Sequence, residues 1–361
     1  MKILRSIPDF RDLMSLVRAS PVYFRQYLET RKSLLAGCLK MSLNTVLVDA
    51  LAVQEAATLR GDKSVKRDAV QQHLDKYSVR RKAGESIIDG LIDKYDEDFL
   101  LGIYSFWQTY ARPLTVQFAR LFLSRFDPQR PPVFTHLSTT ENTRLLRALY
   151  RFELYSCLFG GESRSLQLGF GEEEVLYFFF CLFRPWEVEE IFSVYTLVQD
   201  EMTTRLRVME KKLFNAVTHE FAILGGAASW GLRGFDMTRT GTDCYSMTTI
   251  RPGNPWTPGY GFMENIFCQD VQEKRRRLFT TDDDLAGHSG DPLPYVGEAG
   301  SQPSFGWVLV CKGKHINTYG GDVHRPSPRD WGYVFWDRWR LAKFRGDKKL
   351  DMTCWEPGAE Y

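Results

Sequence analysis

The sequence predicts a mainly α protein, and three observations carry that prediction. Apolar residues recur at three- and four-residue intervals through the first 224 positions, the period of one helix face. Those positions hold only 9 of the 28 glycines and 7 of the 16 prolines, so long helices are not interrupted there. The remaining 137 residues hold 19 glycines, 9 prolines and 7 of the 9 tryptophans, which predicts an irregular, aromatic-rich C-terminal region with one candidate β-hairpin.

The elements follow in order. Leu13, Leu16 and Val17 form an apolar stripe before Ser20-Pro21. Ser20 suits an N-cap, and Pro21, lacking an N–H, suits the first helical position. A second helix is expected over 21–39 and a third over 44–59. Residues 60–85 are rich in Lys and Arg and read as a solvated helix and loop, or as an anionic docking face. An aromatic helical hairpin is expected over 97–126, with Pro113 starting its second limb, and FDPQRPPVF breaks the chain after it. Ser138 and Glu141 match a capping box that opens a helix with Leu145, Leu149 and Phe152 on one face. Acidic residues after Gly171 and after Pro185 suit two helix N-termini, and a further helix is expected over 209–224. Beyond it, residues 262–279 suit one more helix. Residues 307–319 read as the hairpin, turning at Lys312-Gly313-Lys314. Trp331, Phe335 and Trp339 have the spacing of one helical stripe.

With 47 basic and 45 acidic residues the net charge is +2, a balance that argues against a dedicated nucleic-acid binder. The longest unbroken apolar run, Val175 to Phe183, is too short to span a bilayer, so no membrane span is expected. Seven scattered cysteines without a CxxC pair, and no secretory leader, predict an intracellular, reduced protein of cytoplasm or nucleus.

Catalytic signatures are weak. Asp282, Asp283 and Asp284, with His288 and Asp291, could offer oxygen ligands to a divalent cation, and equally compose an exposed acidic loop. Cys311 and His315 lack the second tight pair a zinc site needs. GGAASWG over 225–231 matches neither phosphate-loop pattern, and no GxSxG singles out a serine nucleophile. No catalytic residue, metal or cofactor is therefore assigned.

Two patches carry a family resemblance. Leu13, Leu16, Ala19, Ser20, Pro21, Tyr23, Tyr27, Arg31, Leu34 and Leu35 resemble the later half of an F-box found in filamentous-fungal proteins. DWGYVFWDRWRL, ending at Leu341, resembles a closing motif of similar fungal proteins, and RLLRALYRFELYSCLF and PWEVEEI look like the same group. The family's opening Leu-Pro and acidic residue is reduced here to MKIL.

The resemblance implies docking to the adaptor subunit of a cullin–RING ubiquitin ligase, with the rest of the chain receiving an unknown protein substrate. Leu13, Leu16, Val17, Pro21 and Tyr23 would face the adaptor, and Trp331 and Trp336 would serve a second partner. The aromatic cluster has a plainer reading as core, and the helix pair as a lid on the helical domain. The expected organisation is an F-box-like segment over 1–40, a helical domain over 41–224 and a loop-rich, Trp-rich region over 225–361. Two alternatives stand beside the interaction protein: an enzyme with its pocket in the C-terminal loops, and a purely structural helical protein.

Overall fold

The computed structural model describes residues 2–7, 10–61, 66–83, 94–126, 136–159, 168–184, 186–198, 295–298, 302–310 and 328–345. Among them the fold is mainly α, with no strand. The chain divides into two compact units, Met1–Pro113 and Leu114–Tyr361. The expected helices over 209–224 and 262–279, and the acidic segment Asp282–Asp291, lie outside the described residues.

The first unit opens with α1 (Lys2–Arg5), α2 (Phe10–Ala19) and α3 (Pro21–Leu43). Ser20 takes the extended backbone of an N-cap and Pro21 the first helical position, although the serine side chain makes no capping bond. Helix α3 runs four residues beyond the expected end and kinks at Thr30, whose φ is −133°. A 3₁₀ turn (Asn44–Val46) leads into α4 (Leu47–Gly61), and α5 (Arg67–Ala83) lies against α4. The charged segment over 60–85 is thus largely a helix, and it buries Val70, His73, Leu74 and Tyr77.

The hairpin expected over 97–126 is instead one uninterrupted helical run. Helix α6 (Glu97–Phe106) passes through a π turn (Trp107–Ala111) into α7 (Arg112–Phe126). Proline inside a helix lacks a donor and crowds the carbonyl four residues back. The π turn just before Pro113 widens the spiral there, and the Arg112 N–H reaches back five residues to the Trp107 carbonyl.

In the second unit α8 (Thr139–Phe159) opens with the expected capping box. The Glu141 N–H donates to Ser138 Oγ at 3.1 Å, and the Ser138 N–H donates to Glu141 Oε2 at 3.0 Å. The sequence pointed to one apolar face, but α8 is buried on all sides, with three arginines and two glutamates inside. After α9 (Glu172–Phe178), α10 spans 186–198.

Two C-terminal expectations are corrected. Residues 305–310 form a helix, α11 (Phe305–Val310), where the first hairpin strand was expected; the rest of that segment lies outside the described residues. Its start is fixed by Ser304, whose Oγ accepts the Trp307 N–H at 3.1 Å, and this outweighs the β propensity of a short Trp-Val-Leu-Val run. Trp331, Phe335 and Trp339 are not one stripe. Two 3₁₀ turns, Pro328–Trp331 and Tyr333–Phe335, are separated by Gly332 at φ +64°, and α12 (Arg338–Arg345) follows. That left-handed residue sits so close to Phe122 that an added Cβ would lie 2.7 Å from the ring. Trp331, Tyr333, Phe335 and Trp336 are buried, whereas Trp339 is 46% exposed.

Candidate functional site

The site residues predicted near the N-terminus separate into inner and outer sets. Leu13 and Val17 are fully buried against Leu4, Tyr27, Leu34 and Cys38, and Leu16 and Tyr23 pack half-buried around that cluster. The stripe of α2 therefore holds the helix pair together, and Cys38 Sγ reaches back to the Ile7 carbonyl at 3.3 Å. Pro21 is exposed, and on its side of α3 lie Phe24 (48% exposed) and Leu28 (57% exposed). Pro21, Phe24 and Leu28 follow one another at three and four residues, an apolar stripe facing outward. Sequence reading missed it because the inward stripe has the same spacing, and periodicity does not say which of two apolar faces is covered.

The helix pair is joined to α6 by an edge-on contact of Phe10 with Tyr104, ring centres 4.7 Å apart, and by charge. Arg31 of α3 pairs with Glu97 of α6 at 2.5 Å. A carboxylate hub forms at Glu55 of α4. It accepts two bonds from Arg80, at 2.8 and 2.9 Å, and one from the Tyr95 hydroxyl at 2.5 Å, with His73 Nδ1 at 3.4 Å. Burial alone would raise this carboxyl, but hydrogen bonds from His73, Arg80 and Tyr95 outweigh it and hold the group at about 2, below the ordinary 4.5. Since the folded-state value is the lower one, the stabilisation is complete above about pH 4.5 and is lost as pH falls toward 2. Glu55→Gln is expected to destabilise by about 1–2 kcal/mol at pH 7 and to flatten the acid limb of the stability curve. Denaturant midpoints across that pH range check it, and an acid limb as steep in the variant as in the parent would refute it.

In the second unit, the three internal sequence patches meet in one buried ionic lattice. Arg144, Arg147 and Arg151 stand on one side of α8 at three- and four-residue spacing. Arg147 forks onto Glu190 of α10 at 2.5 and 2.6 Å, and Arg151 reaches Glu187 at 2.8 Å. Arg144 bonds Asp337 at 2.6 Å and Glu298 at 2.8 Å. Glu141, the capping-box acid, takes Arg340 of α12 through both oxygens at 2.5 and 2.7 Å, and neither side chain has any exposure. Arg329 forks onto Glu189 at 2.6 and 3.1 Å. All are charge-assisted contacts, the strong class of hydrogen bond, and the Arg147, Arg329 and Arg340 pairs are bidentate.

Burial would lower Arg147, but the Glu190 carboxylate outweighs that and raises it. Burial pushes the Glu190 carboxyl itself above the usual carboxylate range, against the opposing pull of Arg147 and Arg151. Burial would likewise raise the Asp337 carboxyl. Hydrogen bonds from Ser138 and Thr140, together with Arg144, hold it below the usual carboxylate range. The acids after Pro185 thus do more than face a helix dipole, as the sequence suggested: Glu187 accepts the Arg184 N–H at 2.9 Å and also receives Arg151.

Trp331 and Trp336, expected at a partner surface, lie in this core at 6% and 0% exposure, with the Trp336 indole N–H donated to the Trp331 carbonyl at 2.9 Å. Arg340 stacks over both Trp336 and Trp339, with its guanidinium 5.7 and 4.6 Å from the ring centres. Arg338 lies instead over Phe305, at 5.2 Å. The chemistry available to the lattice is cohesion: each of its guanidinium groups faces a carboxylate.

Among the described residues no cluster of His, Cys, Asp or Glu is arranged to hold a metal ion. One described stretch, Pro21–Leu59, is long and apolar enough by composition to cross a membrane, and 67% of its apolar window is buried inside the fold, as in a core helix. Comparison with protein-family models, with curated proteins and with solved structures finds no match to this chain.

Proposed function

We propose that this chain is an intracellular protein-interaction subunit whose N-terminal helix pair docks on the adaptor of a cullin–RING ubiquitin ligase, leaving the second unit to hold a protein substrate. The observation that supports it best is an apolar helix face left outside the packing of the helix pair. Helices α2 and α3 satisfy their shared apolar face through Leu13, Val17 and Tyr27, yet α3 still turns Phe24 and Leu28 to solvent. Exposed apolar residues in register on one helix offer a surface that a partner can cover. The F-box-like residues of the same segment supply the identity of the partner.

Affinity purification of the tagged full chain tests the reading. Recovery of the adaptor and cullin in near-stoichiometric amounts is the expected result. A well-folded full chain that recovers neither overturns the ligase role. A second reading, a purely structural helical protein, is favoured by the burial of Leu13, Val17, Trp331 and Trp336. It predicts no stoichiometric partner in the same experiment.

A further inference from the structure

We infer that the outward stripe Pro21, Phe24 and Leu28, edged by Arg18 and Arg25, is a docking face for an acidic amphipathic helix of a partner protein. Three observations converge on this occupant. The stripe has the three- and four-residue spacing at which the apolar faces of two helices meet. Phe24 and Leu28 are 48% and 57% exposed although the opposite side of the same turns, at Tyr27, is buried.

Charge then selects the partner. Residues 1–32 hold seven basic and three acidic side chains, whereas the whole chain carries only +2. Of these, Arg31 is taken up by Glu97. Arg18, in the last turn of α2, precedes Pro21 by three residues, Arg25 lies beside the stripe on α3 with Glu29 one turn further on, and all three are exposed. An acidic helix gains attraction from both arginines, while a basic one is repelled.

The inference rests on the interaction reading above and adds the face and the chemistry of its partner. The test uses the full chain and a labelled helical peptide with leucines at three- and four-residue spacing and glutamates elsewhere. A counterpart with lysines in place of the glutamates, and phosphatidylserine vesicles, are the comparison probes. The acidic peptide is expected to bind about tenfold or more tightly than the lysine peptide. Phe24→Ser/Leu28→Ser and Arg18→Glu/Arg25→Glu are each expected to lose about tenfold, with the far-ultraviolet circular dichroism of both unchanged, since all four side chains are exposed.

Equal binding of the two peptides, or binding that survives both variants, overturns the inference. So does preference for the vesicles, which would make the face a membrane contact, or self-association abolished by the same substitutions, which would make it a contact between copies. If the peptide fails while the ligase adaptor is still recovered by the Phe24→Ser/Leu28→Ser variant, the interaction reading stands and only this face is lost. If the parent chain binds neither the peptide nor the adaptor, both fall.

Discussion

Glu141→Gln is expected to destabilise the second unit by about 3–5 kcal/mol, the usual consequence of stripping one partner from a buried ion pair. Arg340 has no exposed surface and meets Glu141 through two bonds at 2.5 and 2.7 Å. It also donates to the His136 carbonyl at 2.9 Å, which carries no full charge. Glu141→Gln takes away the carboxylate that faces this desolvated guanidinium. Glu141 also accepts the N–H groups of Ser138 and Asp337, so the start of α8 and the start of α12 loosen together. The double variant Glu141→Gln/Arg340→Met is expected to cost no more than the single one, because both charges leave. Denaturant unfolding followed by tryptophan fluorescence reports the difference through Trp307, Trp331 and Trp336. Additive losses, or a single-variant loss below about 1 kcal/mol, would contradict the buried pair.

Gly306→Ala is expected to be destabilising by about 3 kcal/mol or more, reversing the ordinary sign of this substitution within a helix. In an open helix, alanine gains about 1 kcal/mol over glycine. Here α11 packs so closely on the 3₁₀ turn Tyr333–Phe335 that an added Cβ would overlap the Tyr333 carbonyl oxygen. Backbone, unlike a flexible side chain, cannot step aside without disturbing the buried Trp336 beside it. Thermal unfolding of the variant checks this. A melting temperature equal to or above the parent's would mean that the two elements do not touch as described.

Local signals carried the helical part of this fold. Ser20-Pro21, Ser138 with Glu141, and the acids after Gly171 each mark a helix start that the structure contains, because such signals act within a few residues. What escaped was non-local. Ser304 was a cap hidden before a β-rich run, and Gly332 broke a stripe whose spacing looked helical. In sequence Pro113 reads as a helix start, because a π turn is not written in periodicity.

The ionic lattice was half legible. Arg144, Arg147 and Arg151 could have been seen as charges at core spacing in an otherwise apolar helix, with Glu187 and Glu190 offering the matching interval. Nothing in the chain order says that Asp337 and Arg340, nearly two hundred residues on, complete it. The N-terminal site shows the same limit. Its apolar residues were evident, but only the packing of α2 on α3 separates Leu13 and Val17, which hold the pair together, from Phe24 and Leu28, which face outward.

A paired comparison of Leu13→Asp with Leu28→Asp distinguishes the inner face from the outer one. Each full-length variant is assayed for thermal unfolding and for recovery of the ligase adaptor. Leu13→Asp places a charge in the sealed core of the helix pair and is expected to lower the melting temperature sharply. Leu28→Asp changes an exposed position, so it is expected to keep the parent melting temperature and lose the adaptor. A stable Leu13→Asp protein, or a Leu28→Asp protein that recovers the adaptor as well as the parent does, would contradict the account.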